Sequence, residues 1–328
     1  MGRNEHEKYR INLIINAIAV LLFLLLPLTG SSYHVILISK IMTFAMLAVS
    51  LDLMWGYTGI FSFGHSAFFG LGAYSLGLLL KYTDSAGLTY LGLALSVLAP
   101  MAIALALGYF VFYGKVSGVY FGLITLAFTS ILQQLFITLL KYTGGDNGLY
   151  GFPYPELRFP GGFMLPLENE YILYYFVLVS LIVFYLISRA IVNSSFGRVM
   201  RGIKDNEGRM EFFGYSVAFC KLVVFAVSAG MAGYAGALFV PASFVSPSIF
   251  SLLLSTQILV WVAVGGRGTL IGGVVGAFLL NYLEAFLSSS FVNLWLLLIS
   301  VILISSVLFW PQGIMGFLKE KYGTTFLG

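Results

Sequence analysis

Long apolar stretches recur from residue 11 to residue 310, and the charged residues fall almost entirely between them. A helix needs about 20 apolar residues to cross a bilayer. Ten stretches qualify or nearly so: 11–28, 34–54, 60–80, 89–112, 118–140, 171–189, 216–240, 252–264, 269–287 and 294–310. Glycines interrupt the third and the eighth is short, so each of these either crosses or re-enters from one side. The pattern predicts an all-α integral membrane protein of about ten transmembrane helices with Gly-broken segments, forming a single transmembrane domain over 1–328. No soluble fold has the interior to hide this chain. It is 59% hydrophobic and only 9% charged, against about a quarter charged in ordinary soluble domains. The excess apolar surface must meet lipid.

The few charges set orientation rather than fold. Short cytoplasmic loops collect Lys and Arg. Arg3, Lys8 and Arg10 precede the first stretch, residues 189–209 hold Arg189, Arg198, Arg201, Lys204 and Arg209, and Lys319 and Lys321 lie in the tail. With ten crossings all three groups share one side, together with Lys115 and Arg267. Loop 141–170, where Lys141 and Arg158 meet Asp146, Glu156, Glu168 and Glu170, falls on the other side. Both termini are therefore expected in the cytoplasm. Eight crossings with re-entrant pieces satisfy the same arithmetic. The net charge of +4 belongs to this loop bias and gives no reason to expect nucleic acid. A single cysteine, Cys220, rules out an internal disulfide and argues against a cysteine-based metal cluster. The first stretch lacks a small-residue cleavage site before Pro27, so it reads as a retained span rather than a removed signal.

Two long excursions leave the membrane. Loop 141–170 is dense in Gly and Pro, which favour turns, and predicts an ordered external loop or a short hairpin. Segment 193–215 is the most polar part of the chain. Val199, Ile203 and Met210 recur at roughly helical spacing opposite Arg198, Arg201, Lys204, Asp205 and Glu207, with Gly197 and Gly214 at the ends. A short amphipathic helix follows. It either rests on lipid headgroups or docks a cytoplasmic partner, and its alternating signs suit a protein surface.

Two glycine-interrupted membrane stretches lie in corresponding places in the two halves, 56–72 and 264–273. Irregular backbone survives at membrane depth only beside protein or water, and in transporters such pairs often mark the path of the solute. Close helix packing is the alternative. It fits the G-x-x-x-G steps Gly268, Gly272 and Gly276 and the small-residue face Gly230, Gly233 and Gly236. In 56–72, Ser62, His65 and Ser66 add polarity to an apolar region. Candidate pathway residues are Gly56, Gly59, Ser62, Gly64, His65, Ser66, Phe68, Gly265, Gly266 and Thr269. Lys40, Asp52, His65 and Glu284 are ionisable within spans, which makes each a functional candidate, although Lys40 can snorkel and Asp52 and Glu284 lie near span ends. The chain has no phosphate-binding G-x-x-x-x-G-K-[ST], no H-E-x-x-H, no G-x-S-x-G and no C-x-x-C. No catalytic constellation is visible.

Seven stretches in order resemble the permease subunits of ABC importers for branched-chain (hydrophobic) amino acids and for urea and short amides. They are G-Y-T-G-I-F-S-F-G-H-S-A-F-F-G-L-G-A-Y at 56–74, G-V-Y-F-G-L-I-T-L-A-F at 118–128, T-G-G-D-N-G-L at 143–149, F-G-R-V-M-R-G-I-K-D-N-E at 196–207, Y-A-G-A-L-F at 234–239, V-G-G-R-G-T-L-I-G at 264–272 and P-Q-G-I-M-G at 311–316. Each is weakly specific, but together they cover nearly the whole chain. The resemblance implies a multi-pass subunit of a bacterial-type inner membrane, paired with a homologous second permease. It also implies two ATPase subunits carrying ATP and Mg, an extracytoplasmic substrate-binding protein, and no cofactor on this chain. The family's coupling segment maps onto Gly197, Arg198, Arg201, Lys204, Asp205, Asn206 and Glu207. V-G-G-R-G-T-L-I-G and E-G-R-M-E-F-F-G-Y at 207–215 look more like the urea branch, so the expectation leans to urea or a short amide. Alternating access driven by the ATPases is the expected mechanism. The rival reading, a stand-alone secondary transporter or channel for a small neutral solute, lacks an acidic cluster for coupling ions.

Overall fold

The computed structural model describes residues 23–27, 30–83, 86–116, 118–159, 161–291 and 312–322, with isolated positions between 294 and 304. The described residues are mainly helical, with one small hairpin. The helices are α1 (Ser32–Thr58), α2 (His65–Thr83), α3 (Thr89–Tyr113), α4 (Val119–Thr138), α5 (Glu170–Asn193), α6 (Ser195–Asp205), α7 (Glu207–Phe212), α8 (Val217–Phe239), α9 (Leu252–Gly265), α10 (Ile271–Ser290) and α11 (Gly313–Tyr322). Strands β1 (Glu156–Arg158) and β2 (Met164–Pro166) pair antiparallel, Leu157 opposite Leu165. Loop 141–170 thus holds the short hairpin its Gly and Pro content predicts.

Six described helices are long and apolar enough to span a bilayer: α1, α3, α4, α5, α8 and α10. α9 is apolar but has only 14 residues, about 21 Å at 1.5 Å per residue. The expected spans 11–28 and 294–310 lie mostly outside the described residues. The expected span 60–80 needs a correction. Helix begins only at His65, and 59–64 runs as non-helical backbone between α1 and α2. Gly59 ends α1 in the left-handed conformation, φ 76°, which glycine adopts without steric cost.

α1 and α8 form the centre of the bundle. Both are apolar on all sides and buried along most of their length, as expected for helices surrounded by others. α8 packs on α1, α2 and α3. These contacts are close because the facing residues are small. A methyl group on Gly233 would strike the Ser96 carbonyl of α3, one on Gly236 the Phe69 carbonyl of α2, and one on Gly72 the Gly233 carbonyl. α9 and α10 form a similarly tight pair, in which Gly265 faces Gly272 and Gly276 faces Trp261. Of the two alternatives for these glycine steps, close packing is what Gly272, Gly276, Gly233 and Gly236 do.

Cross-contacts sort the helix ends into two groups. Loop 141–170 lies with the start of α3 and the end of α2: Tyr82 Oη donates to the Lys141 carbonyl at 3.2 Å, and Tyr90 Oη to the Arg158 carbonyl at 3.1 Å. The polar segment α6–α7 lies at the opposite end, against the end of α1 and the start of α8.

Candidate functional site

The polar segment is two helices rather than one. Ser194 caps α6 by accepting from Gly197 N at 3.2 Å. Asn206, with extended backbone, ends α6 and caps α7 by accepting from Arg209 N at 3.0 Å. The chain turns at Asn206 because an Asn side chain replaces a helical partner there, an effect that apolar periodicity does not register. Met200, Ile203 and Gly197 face the bundle and are buried, whereas Arg198, Arg201, Lys204, Asp205, Asn206 and Glu207 are exposed. Arg198 Nη2 donates to Ser195 Oγ at 2.9 Å. Among the described residues, Arg198, Arg201 and Asp205 enter no ion pair.

Two lysines tie this segment to the bundle. Lys221 of α8 is buried and pairs with Glu207 at 2.6 Å. Lys204 Nζ donates to the Gly56 carbonyl at 2.6 Å. Gly56 lies in the last turn of α1, where carbonyls lack helical partners and attract cations. Burial pushes the Lys204 pKa down, as does the nearby Arg267 guanidinium, while Asp52 and Asp205 pull it back up. Beside these residues opens a cleft of about 470 Å³, bordered by Thr58, Gly59, Ile60, Phe121, Asp205 and Lys221.

The two glycine-interrupted stretches meet here. Asp52 is fully buried. Its Oδ1 accepts from Gly268 N at 2.7 Å and its Oδ2 from Leu270 N at 2.8 Å. Gly56 packs so closely on Gly268 that a Cβ would lie 2.7 Å from the Gly268 nitrogen. Thr269 Oγ1 donates to the Gly266 carbonyl at 2.6 Å and accepts from Gly272 N at 3.1 Å, fastening the start of α10. Arg267 is exposed, its guanidinium 5.2 Å from the Trp55 ring centre, within cation–π range.

Deeper in the bundle, side chains bond the backbone of Phe63 and Gly64 in the non-helical 59–64 segment, because polar groups at this depth require partners. Phe63 N donates to Thr125 Oγ1 at 3.1 Å, Thr129 Oγ1 to the Phe63 carbonyl at 3.4 Å, and Gly64 N to Ser62 Oγ at 3.0 Å. Ser228 Oγ donates to the Ser50 carbonyl at 2.5 Å, so His65 Nε2, 2.6 Å away, donates to Ser228. Ser66 and Ser255 share a hydrogen bond at 2.5 Å. Phe68 sits among Phe128 and Phe225. Of the sequence-selected pathway residues, Gly59 borders the cleft. Gly56, Gly265, Gly266 and Thr269 lie at the α6 end, and Ser62, Gly64, His65, Ser66 and Phe68 are buried within the subunit. Lys40 lies 5.8 Å from the Phe44 and Phe239 ring centres.

Sequence reasoning passed over three features. Lys221 sits near the start of an apolar stretch and was legible as an outlier. Thr125 and Thr129 carry no motif, and their role appears only when α4 lies beside 59–64. Ser130, Gln134 and Thr138 are exposed at four-residue spacing, hence on one face of α4. α4 also exposes Leu123, Ile131 and Leu135 beside them, while the exposed faces of α3 and α5 are apolar, with Leu91, Leu95, Leu98 and Leu105 on one and Val179, Val183, Leu186 and Ile187 on the other. Among the described residues no group of three or more His, Cys, Asp or Glu side chains is placed to hold a metal.

A helical bundle with six helices able to span a bilayer and a charged interhelical segment at one end defines a multi-pass membrane protein. Residues 33–307 match the family described as "Branched-chain amino acid transport system / permease component", and the chain belongs to that family of ABC importer permease subunits. It is similar to the high-affinity branched-chain amino acid transport system permease protein LivM of Salmonella typhimurium, at 27% identity over 88% of this chain and 71% of that one. It is likewise similar to LivM of Escherichia coli, at 27% identity over 84% of this chain and 68% of that one. No solved structure matches. The matched relatives are transport components rather than enzymes.

Proposed function

We propose that this chain is one permease half of an ATP-driven importer for branched-chain or other hydrophobic amino acids, working by alternating access with a homologous second permease. The observation that carries the coupling role is α6. Its buried face anchors it to the bundle, while Arg198, Arg201 and Asp205 stand exposed on the other side and, among the described residues, enter no ion pair. Two ATPase subunits, which hold ATP and Mg, dock on this face, and their closure moves α6 and the helix ends around it. This chain itself binds no cofactor. The Lys and Arg distribution supports placing α6 and both termini in the cytoplasm of a bacterial-type inner membrane. A substrate-binding protein delivers solute on the side of loop 141–170.

The path runs where the two permeases meet. The 56–72 stretch backs its wall from inside the subunit, with Gly59 at the cleft, and the uncharged side chains of Ser130, Gln134 and Thr138 offer hydrogen bonds to a zwitterion without a trapping charge. Branched-chain amino acids are the favoured solute because the relatives are named for their transport. Urea or a short amide is the second reading, favoured by the stretches 207–215 and 264–272. Competition binding to the cognate binding protein separates the two.

The decisive experiment reconstitutes the full importer in proteoliposomes. Arg201→Glu or Asp205→Lys is expected to uncouple ATP hydrolysis from uptake in a subunit that still inserts. Unchanged substrate-stimulated ATPase activity and uptake in both variants would sink the docking role. Uptake by the purified chain alone would decide for a stand-alone transporter.

A further inference from the structure

The junction between α6, the end of α1 and the α9–α10 loop has a construction that packing alone does not require. Loop 266–270 holds three residues at positive φ: Gly266 at 120°, Gly268 at 79° and Leu270 at 52°. Leu270, at φ 52° and ψ −54°, sits in the rare, strained γ-turn region, and such strain persists only where surroundings over-determine it. Here both oxygens of the Asp52 carboxylate do so, one on Gly268 N and one on Leu270 N. A fully buried carboxylate is expensive unless hydrogen-bonded or paired. Among the described residues, Asp52 has no ion pair within 4 Å. The cation acting on it is Lys204 of α6, which is fastened one turn further along α1 at the Gly56 carbonyl. The Lys204 stem lies over Gly59, where a Cβ would sit 3.4 Å from its Cγ.

A continuous linkage therefore runs from α6 through Lys204 to the end of α1, and through Asp52 to the hinge joining α9 and α10. On its far side the same loop abuts α11, where a Cβ on Gly313 would lie 2.5 Å from Gly266 Cα. We propose that Asp52 and Lys204 are positioning residues that transmit movement of α6 to the α9–α10 hinge. The linkage suits transmission because both Asp52 bonds end on N–H groups of the glycine-rich, non-helical loop 266–270, and the Lys204 bond ends on a carbonyl in the last turn of α1, where helical partners run out. Such groups can exchange partners without unpacking a helix. Motion of α6 changes the hold on Gly56, and Asp52 passes it to a loop whose relaxed conformation differs from its held one.

This inference rests on the docking reading of α6, and the test keeps the two apart. The complete importer, with both permeases, the ATPases and the binding protein, is reconstituted with Asp52→Asn, with Lys204→Met, and with both. Asn keeps an acceptor for Gly268 N but sets an amide donor against Leu270 N. Met keeps the stem over Gly59 and removes the ammonium. The readout is solute transported per ATP hydrolysed, with thermal midpoint and assembly yield measured alongside. Each single variant is expected to lower that ratio at least about fivefold. The double variant is expected to fall no further than the worse single, because one linkage is cut twice. A purely structural role would lower the midpoint and leave the ratio intact, which overturns the proposal. Losses that multiply in the double variant also overturn it. Should Asp52→Asn fail to assemble, Lys204→Met on the exposed helix decides alone. If neither variant changes the ratio while Arg201→Glu does, the linkage is refuted and docking stands. If Arg201→Glu and Asp205→Lys are also silent, docking itself has failed.

Discussion

At the scale of single residues, the membrane interior makes each polar contact count. His65 Nε2 and the Ser50 carbonyl both bond to the hydroxyl of Ser228. Ser228→Ala leaves the His65 Nε2 donor unpaired in the bundle interior and removes a second bond from the Ser50 carbonyl, which keeps its helical partner in α1. The expected cost is about 1–3 kcal/mol, read as a lower thermal midpoint of the purified subunit in detergent. Gly72 is constrained sterically instead. An added methyl meets the backbone of Gly233, and backbone cannot swing aside as a side-chain tip does. Gly72→Ala must separate α2 from α8, at about 1–3 kcal/mol or more. Gly208→Ala, in exposed α7, has nothing nearer than Asn206 Oδ1 at 3.5 Å and is expected to be neutral or slightly stabilising through helix propensity. The same melting assay compares the two. An equal loss from both would contradict the close-approach account.

At the scale of elements, α6 and α7 show how short helices are held on a bundle that does not need them for its core. α6 contributes Met200 and Ile203 to burial, while α7 has no buried residue and is fastened by Glu207 to Lys221. Glu207 is about half exposed, so solvent screening discounts the pair. Glu207→Gln is expected to cost about 1 kcal/mol in stability and to raise exchange of α7 amides with deuterium more than those of α6. Uniform exchange across both helices would show that they move as one body. Helix existence here was legible in the sequence, because long apolar runs and the amphipathic spacing of Val199 and Ile203 are local properties. The break at Asn206 and the late start of α2 were not. Both turn on side chains that replace helical hydrogen bonds: Asn206 itself, and Thr125 and Thr129, which lie 62 and 66 residues beyond Phe63. The partnership of Asp52 with Gly268 spans 216 residues, and no spacing rule reaches that far.

For the whole molecule, the outer surface distinguishes lipid from partner. Large aromatic side chains stand exposed at both ends of the bundle. Tyr109, Phe110, Tyr113, Tyr120, Phe212 and Phe213 lie towards α6, and Tyr82, Tyr90, Tyr142, Tyr150 and Phe163 towards loop 141–170. Such belts mark the two headgroup levels of a bilayer. Between them α3 and α5 present aliphatic faces, which lipid accepts. α4 presents Ser130, Gln134 and Thr138 among the exposed Leu123, Ile131 and Leu135. The two hydroxyls return to carbonyls of their own helix, Leu126 at 3.1 Å and Gln134 at 2.8 Å. Among the described residues the Gln134 amide has no partner. A polar group left to hydrocarbon is costly, and in membrane proteins such groups face other protein or water. On the proposed function that company is the second permease and the solute path between them. Gln134→Leu then separates two outcomes. If α4 faces lipid, the change removes a misplaced polar group, so the subunit inserts at least as well and uptake is unchanged. If α4 lines the path, insertion and assembly persist, but uptake by the full importer falls severalfold at subsaturating solute. A Leu105→Ile change on the apolar face of α3 should leave uptake untouched. Initial uptake rates in proteoliposomes matched for assembled complex make the comparison, and a wild-type rate for Gln134→Leu would return this face of α4 to the lipid.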